Sequence, residues 1–425
     1  MPGLTVTSDN AYVENAFAWA RERALAWVTT DAAPGHLASY WAGYPSRAMF
    51  YSRDVCHQAG GAHLLGLDAE NFTMLRHFAR SATAARTWYP VWAFHFDGEI
   101  AALDYRGDDD FVREIPAVFD LTWRALEQYD WTGDQRWLDD PDLAAYYRRS
   151  VNEFVEAHDS DGDGVPEAPG TGDIFVGSAT YNEQDADHPL IVAADGIALQ
   201  YAALNALGKL YGDDYCKRAT RIQQEFLATW WDEQLGRFAR GRTVDHGLDF
   251  GWGLESSWIA SMTGLTGDGP RNELFLDYVE KQLELSPPQN IEAFSYLPEV
   301  FFRHGRDESA WRWLRHLIDS RDDYPEVSFT VVHHLVAGLL GLRPDAASAA
   351  LFIDSHLPAD IARLTADHVR VGEWDLRIAQ EGRHTAEVTV HSGPGPLTVT
   401  VGSAGPCSIA PGGTARVTTP TKDAT

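Results

Sequence analysis

Cysteine is scarce in this chain of 425 residues: Cys56, Cys216 and Cys407 are far apart and odd in number. Their spacing contains no metal-ligand pattern, and a chain of this length does not need a disulfide framework to hold a core. We interpret all three as reduced thiols. Apolar residues make up 44% of the chain. That fraction is enough for a sizeable core, in one large domain or in two to three ordinary ones.

Long hydrophobic runs are also missing. No uncharged apolar stretch reaches the roughly 18 residues that a membrane span needs. Residues 1–5 show no basic region followed by an apolar run, so the sequence predicts no signal peptide, although a chain trimmed of its signal would look the same. A cytoplasmic protein with no membrane partner is therefore expected, and its oligomeric state stays open.

Basic residues are few, with 34 Lys and Arg against 62 Asp and Glu and a formal net charge of -28. Such a field repels nucleic-acid phosphates and anionic membranes, so neither is an expected partner. It also makes a strongly anionic polymer a poor bulk substrate, unless a local basic pocket overrides it. Solubility alone accounts for much of this charge.

Several catalytic and binding motifs are absent. The sequence contains no phosphate-cradling glycine loop, no GxSxG elbow and no HExxH pattern, and no cofactor is expected. One acidic turn, residues 159–167, begins like a calcium loop but has Gly170 where the twelfth-position glutamate should stand. No metal site is assigned, and calcium at Asp159–Asp163 stays an open alternative.

Helical periodicity dominates residues 11–340. The predicted segments are 11–29, 52–66, 69–82, 113–132, 135–158, 190–211, 213–234, 251–262, 268–282, 288–304, 306–318 and 327–340. They alternate between helices apolar all round, such as 191–207, and partners that carry more charge. Six buried helices ringed by six amphipathic ones form an (α/α)6 barrel, the fold we predict, with a helical solenoid as the alternative. Gly60-Gly61 inside the second segment indicates a close helix contact.

The pattern changes after Pro344 to short alternating runs separated by Gly, Pro and Ser. They lie at 369–371, 374–378, 386–390, 397–401 and 415–418. We therefore predict a mainly α protein with two domains: the barrel at 1–344 and a small β-rich appendage at 345–425.

Segments rich in aromatic and acidic residues recur before the predicted inner helices. They lie at 44–54, 88–110, 181–189, 249–258, 290–299 and 322–328. An acidic residue before a helix is often only an N-cap, but capping needs no tryptophan. Because all inner helices of such a barrel begin at one end, six such loops would share one mouth. Aromatic rings stack on sugar faces and carboxylates hold hydroxyls, so the pattern favours a carbohydrate-processing site, with Trp92, Trp252 and Tyr296 lining it.

These motifs resemble those of the six-hairpin, (α/α)6-barrel glycoside hydrolases, which include glucoamylase-like and rhamnosidase-like enzymes. In glucoamylase-type enzymes an aromatic-x-Arg-Asp motif in the first loop binds hydroxyls of the terminal sugar, and residues 51–54 match it. Those enzymes place a glutamate acid in the third loop and a glutamate base in the sixth. The resemblance thus implies Glu183 as general acid and Glu326 as general base, with Glu255 and Glu292 as substitutes. The residues predicted to bind substrate are Tyr51, Arg53, Asp54, Trp92, Trp252, Glu255, Glu292 and Tyr296.

The function predicted is an exo-acting glycoside hydrolase, inverting, that removes a terminal sugar from an oligosaccharide or small glycoside. A sugar epimerase or isomerase on the same barrel is an alternative, because His57, His95 and His188 lie near the predicted mouth. A polysaccharide lyase with a Tyr or His base and a non-catalytic sugar-binding protein are the others. The sequence does not name the sugar, the anomer or the linkage.

Overall fold

A computed structural model describes residues 3–182 and 189–419 of the chain. Helices dominate the part before residue 340. They are α1 (Ala11–Ala26), α2 (Ser52–Leu64), α3 (Asp68–Ser81), α4 (Ile115–Thr132), α5 (Arg136–Asp139), α6 (Pro141–Val151), α7 (Glu153–His158), α8 (Ala194–Tyr211), α9 (Asp213–Thr229), α10 (Glu255–Thr263), α11 (Pro270–Leu285), α12 (Ile291–Phe294), α13 (Leu297–Arg303), α14 (Asp307–Ser320) and α15 (Pro325–His333), which a π-helical turn (His334–Gly338) continues.

The strands are short in the first part of the chain and longer in the last part. They are β1 (Thr5–Ser8), β2 (Phe50–Tyr51), β3 (Ala93–Phe94), β4 (Tyr105–Gly107), β5 (Asp110–Phe111), β6 (Leu190–Ala193), β7 (Trp231–Asp232), β8 (Arg237–Phe238), β9 (Gly241–Thr243), β10 (Leu248–Asp249), β11 (Leu342–Asp345), β12 (Ala350–Ile353), β13 (Arg363–Val371), β14 (Trp374–Glu381), β15 (Thr385–Ser392), β16 (Leu397–Val401), β17 (Cys407–Ile409) and β18 (Thr414–Thr418).

Six helices form a closed inner ring. In ring order α2 contacts α4, α4 contacts α8, α8 contacts α10, and α10 contacts α13. The ring closes because α13 contacts the π-helical turn after α15, and α15 contacts α2. Outer helices pack against this ring: α1 on α15, α3 on α2, α6 on α4, α9 on α8, α11 on α10 and α14 on α13. The predicted (α/α)6 barrel is confirmed.

Burial explains which helices lie inside. Nearly every residue of α15 is buried, whereas the outer helix α9 buries only Ala219, Ile222 and Phe226 on one face. A helix apolar all round must be enclosed, and a one-sided helix can face water. Two predicted helices are broken in the structure. Residues 135–158 form α5, α6 and α7, and residues 288–304 form α12 and α13, with a proline in the first turn of α6 and of α13.

The Gly60-Gly61 pair explains how α2 and α15 approach each other. A Cβ on Gly61 would lie 2.0 Å from the carbonyl oxygen of Phe329, and one on Gly60 would lie 2.3 Å from Nδ1 of His333. Both distances are below van der Waals contact, so no larger side chain fits between these inner helices. The close helix contact indicated by the sequence is confirmed.

Two sheets follow the helices. Five antiparallel strands lie in the order β1-β13-β14-β15-β18, and four lie in the order β11-β12-β16-β17. The first sheet includes β1 from the start of the chain, where Thr5 pairs with Asp367. The β-rich C-terminal part is as predicted, and the division at residue 344 stays a prediction. None of the described helices is long and apolar enough to cross a membrane.

Candidate active site

The mouth of the barrel is the end at which the inner helices begin, and a pocket opens there. It has about 470 Å³ of open space. Its lining comes from the loops before α2, α8, α10 and α12, so four of the six loops converge on it. The lining residues are Tyr44, Arg53, Tyr181, Asn182, Leu254, Glu255, Pro288, Gln289, Asn290, Glu292 and Ala293.

Buried acidic residues recur at the starts of the inner helices. Each lies in the first turn of its helix or directly before it, and each is at most 6% exposed. They are Asp54 on α2, Glu114 before α4, Asp195 on α8, Glu255 on α10, Glu292 on α12 and Glu326 on α15. Carboxylates at helix N-termini benefit from the helix dipole and from free backbone N–H groups. Burial of so many in one region is costly, which indicates a functional site rather than capping alone.

Glu292 is held by three neighbours. Arg53 donates from Nη2 to Oε1 of Glu292 and from Nη1 to the backbone oxygen of Tyr181 at 3.0 Å. The hydroxyl of Tyr324 and the side-chain amide of Asn290 donate to Oε2 at 2.7 and 2.9 Å. These contacts fix the carboxylate and connect four loops of the mouth, the first, third, fifth and sixth. Arg53 is thereby partly neutralised.

Glu326 lies deeper and is fully buried. Its Oε1 lies 2.5 Å from Nδ1 of His57 and accepts a hydrogen bond from Ser295 at 3.0 Å. The His57 ring stacks on Tyr296 with centroids 3.7 Å apart. Among the described residues no hydrogen-bond partner reaches Oε2 of Glu326 or Nε2 of His57. Oε1 of Glu326 is therefore held in place, whereas Oε2 has no hydrogen-bond partner among the described residues.

Asp54, Glu292 and Glu326 form a carboxylate cluster, in which one oxygen of each lies within 4.8 Å of the others. Burial, and then the charges of Glu292 and Asp54, raise the pKa of Glu326 well above its usual value. Burial and then Arg124 lower the pKa of His57. Both shifts favour neutral forms, so the His57–Glu326 contact is a hydrogen bond rather than a pair of opposite charges.

Glu255 is the pocket-lining residue best placed to carry a proton at neutral pH. Burial raises its pKa to about 8, and the nearby Arg53 only partly opposes this. Leu254, directly before it, has a φ of 49°, in the left-handed region that a leucine rarely adopts. Backbone strain of this kind concentrates at functional sites because the surrounding structure must hold it.

The aromatic residues predicted to line the site lie in different environments. Trp92 donates from Nε1 to Glu114 at 3.0 Å and packs edge-on against Tyr51, which is 3% exposed. Trp252 is half-buried and donates to the backbone oxygen of Ser286 at 3.0 Å. Tyr296 was expected in the pocket floor, but it is 2% exposed and its ring covers His57. In this structure Tyr296 supports the carboxylate cluster instead of offering a face to a sugar.

Other predicted residues lie apart or outside the described chain. Glu183 and His188 fall in residues 183–188, outside the described residues. His95 lies in a turn after β3, where its backbone pairs with Glu99. The acidic turn Asp159–Asp163 brings three carboxylates within 4.8 Å of one another, but Nη1 of Arg242 lies 3.6 and 3.8 Å from two of them.

Sequence reasoning missed two residues that shape the mouth. Asp195 accepts hydrogen bonds from the backbone N–H of Tyr181 and from the hydroxyl of Thr180 at 2.8 and 2.9 Å, which fixes the loop before α8. Tyr324 bonds Glu292 from the sixth loop. The signal for Asp195 was a lone acidic residue in an otherwise apolar helix start, residues 190–199. The sixth segment contained Tyr324, but nothing local in the sequence pairs it with a residue 32 positions earlier.

No protein-family model and no curated protein matches the sequence. Solved structures do match in fold. A GH78-family rhamnosidase of Bacillus sp. GL1 superposes with a TM-score of 0.65 and 11% identity, covering 95% of this chain and 43% of that one. An α-L-rhamnosidase from Aspergillus terreus superposes with a TM-score of 0.62 and 11% identity, covering 98% of this chain and 50% of that one. A cellobiose 2-epimerase from Bacillus thermoamylovorans superposes with a TM-score of 0.50 and 12% identity, covering 77% of this chain and 99% of that one.

The chain therefore spans half or less of the length of these rhamnosidases. At such identities the likeness establishes the fold alone, an (α/α)6 barrel, which is the fold predicted from the sequence. The matched structures include glycoside hydrolases and an epimerase, so the fold is compatible with more than one reaction.

Proposed function

We propose that this chain is an exo-acting glycoside hydrolase that removes a terminal neutral sugar with inversion. The observation that carries the proposal is the carboxylate cluster at the mouth, beside a pocket lined by Arg53 and Glu255. Glycoside cleavage requires one protonated carboxyl at the leaving oxygen and one carboxylate that activates water. The site has buried carboxyl groups in different environments, which is the arrangement that separates such roles.

Glu326 is the proposed base. Neutral His57 can donate its Nδ1 hydrogen to Oε1, which leaves Oε2 as the oxygen that takes a proton from water. Since Glu326 is fully buried and its raised pKa favours the neutral form without substrate, this role requires water to enter beside Asp54 and Glu292 and the carboxyl to ionise there. Carboxyl groups in an inverting pair lie about 6.5–9.5 Å apart. Glu292 and Glu326 have carboxylate oxygens within 4.8 Å of each other, which is too close for the two members of an inverting pair. The acid therefore comes from another loop.

Glu183 is the proposed acid, from its position in the third loop. Glu255 is the second candidate for this role, because its pKa of about 8 keeps its carboxyl protonated at neutral pH and it lines the pocket. The two are distinguished by the leaving-group test given in the Discussion.

The charge of the pocket supports a neutral sugar. Arg53 is the only cationic side chain among the described lining residues, and Glu292 is its partner. A uronate or sulfated sugar would meet no cation in this lining that is not already paired with Glu292, which disfavours a lyase. Localisation in the cytoplasm remains a proposal from the sequence.

An epimerase is the second candidate function, because His57 lies in the site and one of the matched folds is a cellobiose 2-epimerase. The test is a screen of nitrophenyl glycosides, beginning with the α-L-rhamnopyranoside, together with chromatography of neutral disaccharides. Hydrolysis predicts free nitrophenol and monosaccharides, and loss of both with Glu326→Gln. Disaccharides converted to isomers without cleavage would replace the hydrolase proposal with epimerisation.

A further inference from the structure

Two histidines in the five-stranded sheet occupy matching irregularities. Between β13 and β14 the pairing passes from Asp367↔Arg377 to Val369↔Leu376, so His368 is an extra residue. Between β14 and β15 it passes from Asp375↔Ser392 to Leu376↔Val390, so His391 is an extra residue. Two β-bulges thus flank the same point of β14, and each has histidine at the inserted position. Bulges commonly re-aim a side chain at a functional site.

The bulges bring the two imidazoles together beside carboxylates. The ring centroids of His368 and His391 lie 5.3 Å apart, and Nε2 of His391 lies 2.7 Å from Oδ1 of Asp367. One ring nitrogen of each histidine and one oxygen of Asp367 all lie within 4.8 Å of one another. Nδ1 of His368 lies 3.2 Å from both oxygens of Asp375, which also has Arg370 at 3.7 Å.

This geometry requires an unfavourable backbone. His368 has a φ of 64°, in the left-handed region that a residue with a Cβ seldom adopts. The cluster is also accessible: the side chains of His391, Asp367 and His368 are 35%, 32% and 23% exposed. Two histidines so close repel each other when both are protonated, so ion pairing alone is a weak reason to place them together.

We propose that His368, His391 and Asp367 bind a first-row transition metal ion such as Zn²⁺. Two imidazole nitrogens and a carboxylate oxygen suit Zn²⁺, Ni²⁺ or Cu²⁺ better than Ca²⁺ or Mg²⁺, which prefer oxygen ligands. Asp375 stands beside His368 as the carboxylate that would orient its ring, an arrangement found around histidine ligands generally. Water would complete the coordination on the exposed side.

The position of this histidine site indicates a structural role. The carbonyl oxygen of Arg370 accepts a hydrogen bond at 3.1 Å from His63, in the last turn of α2. Gly372 donates to the carbonyl oxygen of Trp131, in the last turn of α4, at 2.7 Å. This part of the sheet therefore packs at the end of the barrel opposite the mouth. An ion there would join β13 to β15 across β14, away from the proposed chemistry.

The test is calorimetric titration of ZnCl2 into the untagged, chelator-treated full chain. One bound Zn²⁺ per chain is expected. His391→Gln and His368→Asn should each weaken binding by about 100-fold or more, and Asp375→Asn by about 10- to 100-fold. Asparagine is chosen at position 368 because it tolerates positive φ. His246→Gln, in an exposed turn, is the matched control and should bind as the wild type does.

Circular dichroism of each variant checks that the fold is kept. Absence of stoichiometric Zn²⁺ binding by the wild type, or unchanged affinity in both His391→Gln and His368→Asn, would overturn the proposal. The readout needs no sugar substrate, so its outcome is independent of the proposed hydrolase activity.

Discussion

Two groups of three carboxylates occur among the residues that the structure describes, and in each group one oxygen of every residue lies within 4.8 Å of the others. The carboxylate cluster Asp54, Glu292 and Glu326 is buried at the mouth, whereas the acidic turn Asp159, Asp161 and Asp163 is largely exposed. In the turn, Asp159 accepts hydrogen bonds at 2.8 Å from the backbone of the same loop. In the cluster, Glu292 and Glu326 have partners from other loops of the barrel, such as Arg53, Tyr324 and His57.

The difference shows what burial adds to an acidic motif. In the turn, the carboxylates are largely exposed and have local N–H groups and Arg242 beside them, so the residues shape a connection. In the cluster, desolvation raises the pKa of Glu326, which depends on His57 as a hydrogen-bond partner, while Glu292 depends on Arg53 and Tyr324. Acidic spacing alone did not distinguish the two groups in the sequence.

The largest expected difference is in catalysis. Glu326→Gln should lower kcat/KM on the best glycoside from the screen by about 10²- to 10⁴-fold, because the attacking water loses its base. Asp161→Asn, the matched change in the acidic turn, should leave the rate within about twofold. Steady-state kinetics of both variants measures this contrast. Equal activities in the two variants would show that the cluster is not catalytic.

A second contrast separates the two candidate acids. The variant that removes the true acid should lose about 10²-fold or more on substrates with poor leaving groups but much less on activated aryl glycosides, which need little protonation. Glu183→Gln is predicted to show this pattern. If Glu255→Gln shows it instead, Glu255 is the acid. A loss independent of the leaving group in both variants would contradict either assignment.

A third contrast concerns stability. Arg53→Met leaves the buried carboxylate of Glu292 without its cation and should reduce the free energy of unfolding by about 3–5 kcal/mol. Arg242→Met, beside the acidic turn, should cost about 1 kcal/mol or less because that pair is solvated. Urea denaturation measures both. The double variant Arg53→Met, Glu292→Met is the control and should recover most of the loss.

The smallest expected effect is a pH dependence. Because the pKa of Glu255 is raised from 4.5 to about 8 in the folded state, its proton stabilises the fold fully below pH 4.5. That stabilisation is lost as pH rises through about 8. Wild type should therefore lose stability relative to Glu255→Gln progressively between pH 4.5 and about pH 8, while Asp161→Asn keeps the wild-type trend. Thermal melts across this range measure it, and parallel curves for wild type and Glu255→Gln would contradict the shift.

Local sequence patterns predicted much of the fold. The apolar periodicity of α8 and α15, and the glycines at 60–61, follow from residues near in sequence, so the inner ring could be inferred. The sequence could not indicate that β1 joins the last sheet, because its partner β13 lies more than 350 residues later. It also could not indicate the two bulges, because an inserted histidine is visible only once the strand register is known.

Local sequence patterns also indicate which residues of the candidate site lie together. Arg53, Glu292 and Glu326 stand out because they lie at the starts of helical segments, and the barrel brings those starts together. The pairing of His57 with Glu326 spans 269 positions. A ring beside carboxylates in the sequence predicts a sugar platform at Tyr296, but in the structure the ring is buried against His57.

The most direct test of the central claim is a ¹H NMR time course with the best glycoside substrate. An inverting exo-hydrolase should cleave the substrate, and the released sugar should appear first as the anomer opposite to that of the substrate. Release of the same anomer would contradict inversion. An uncleaved product with altered configuration in the sugar ring would contradict hydrolysis at the mouth.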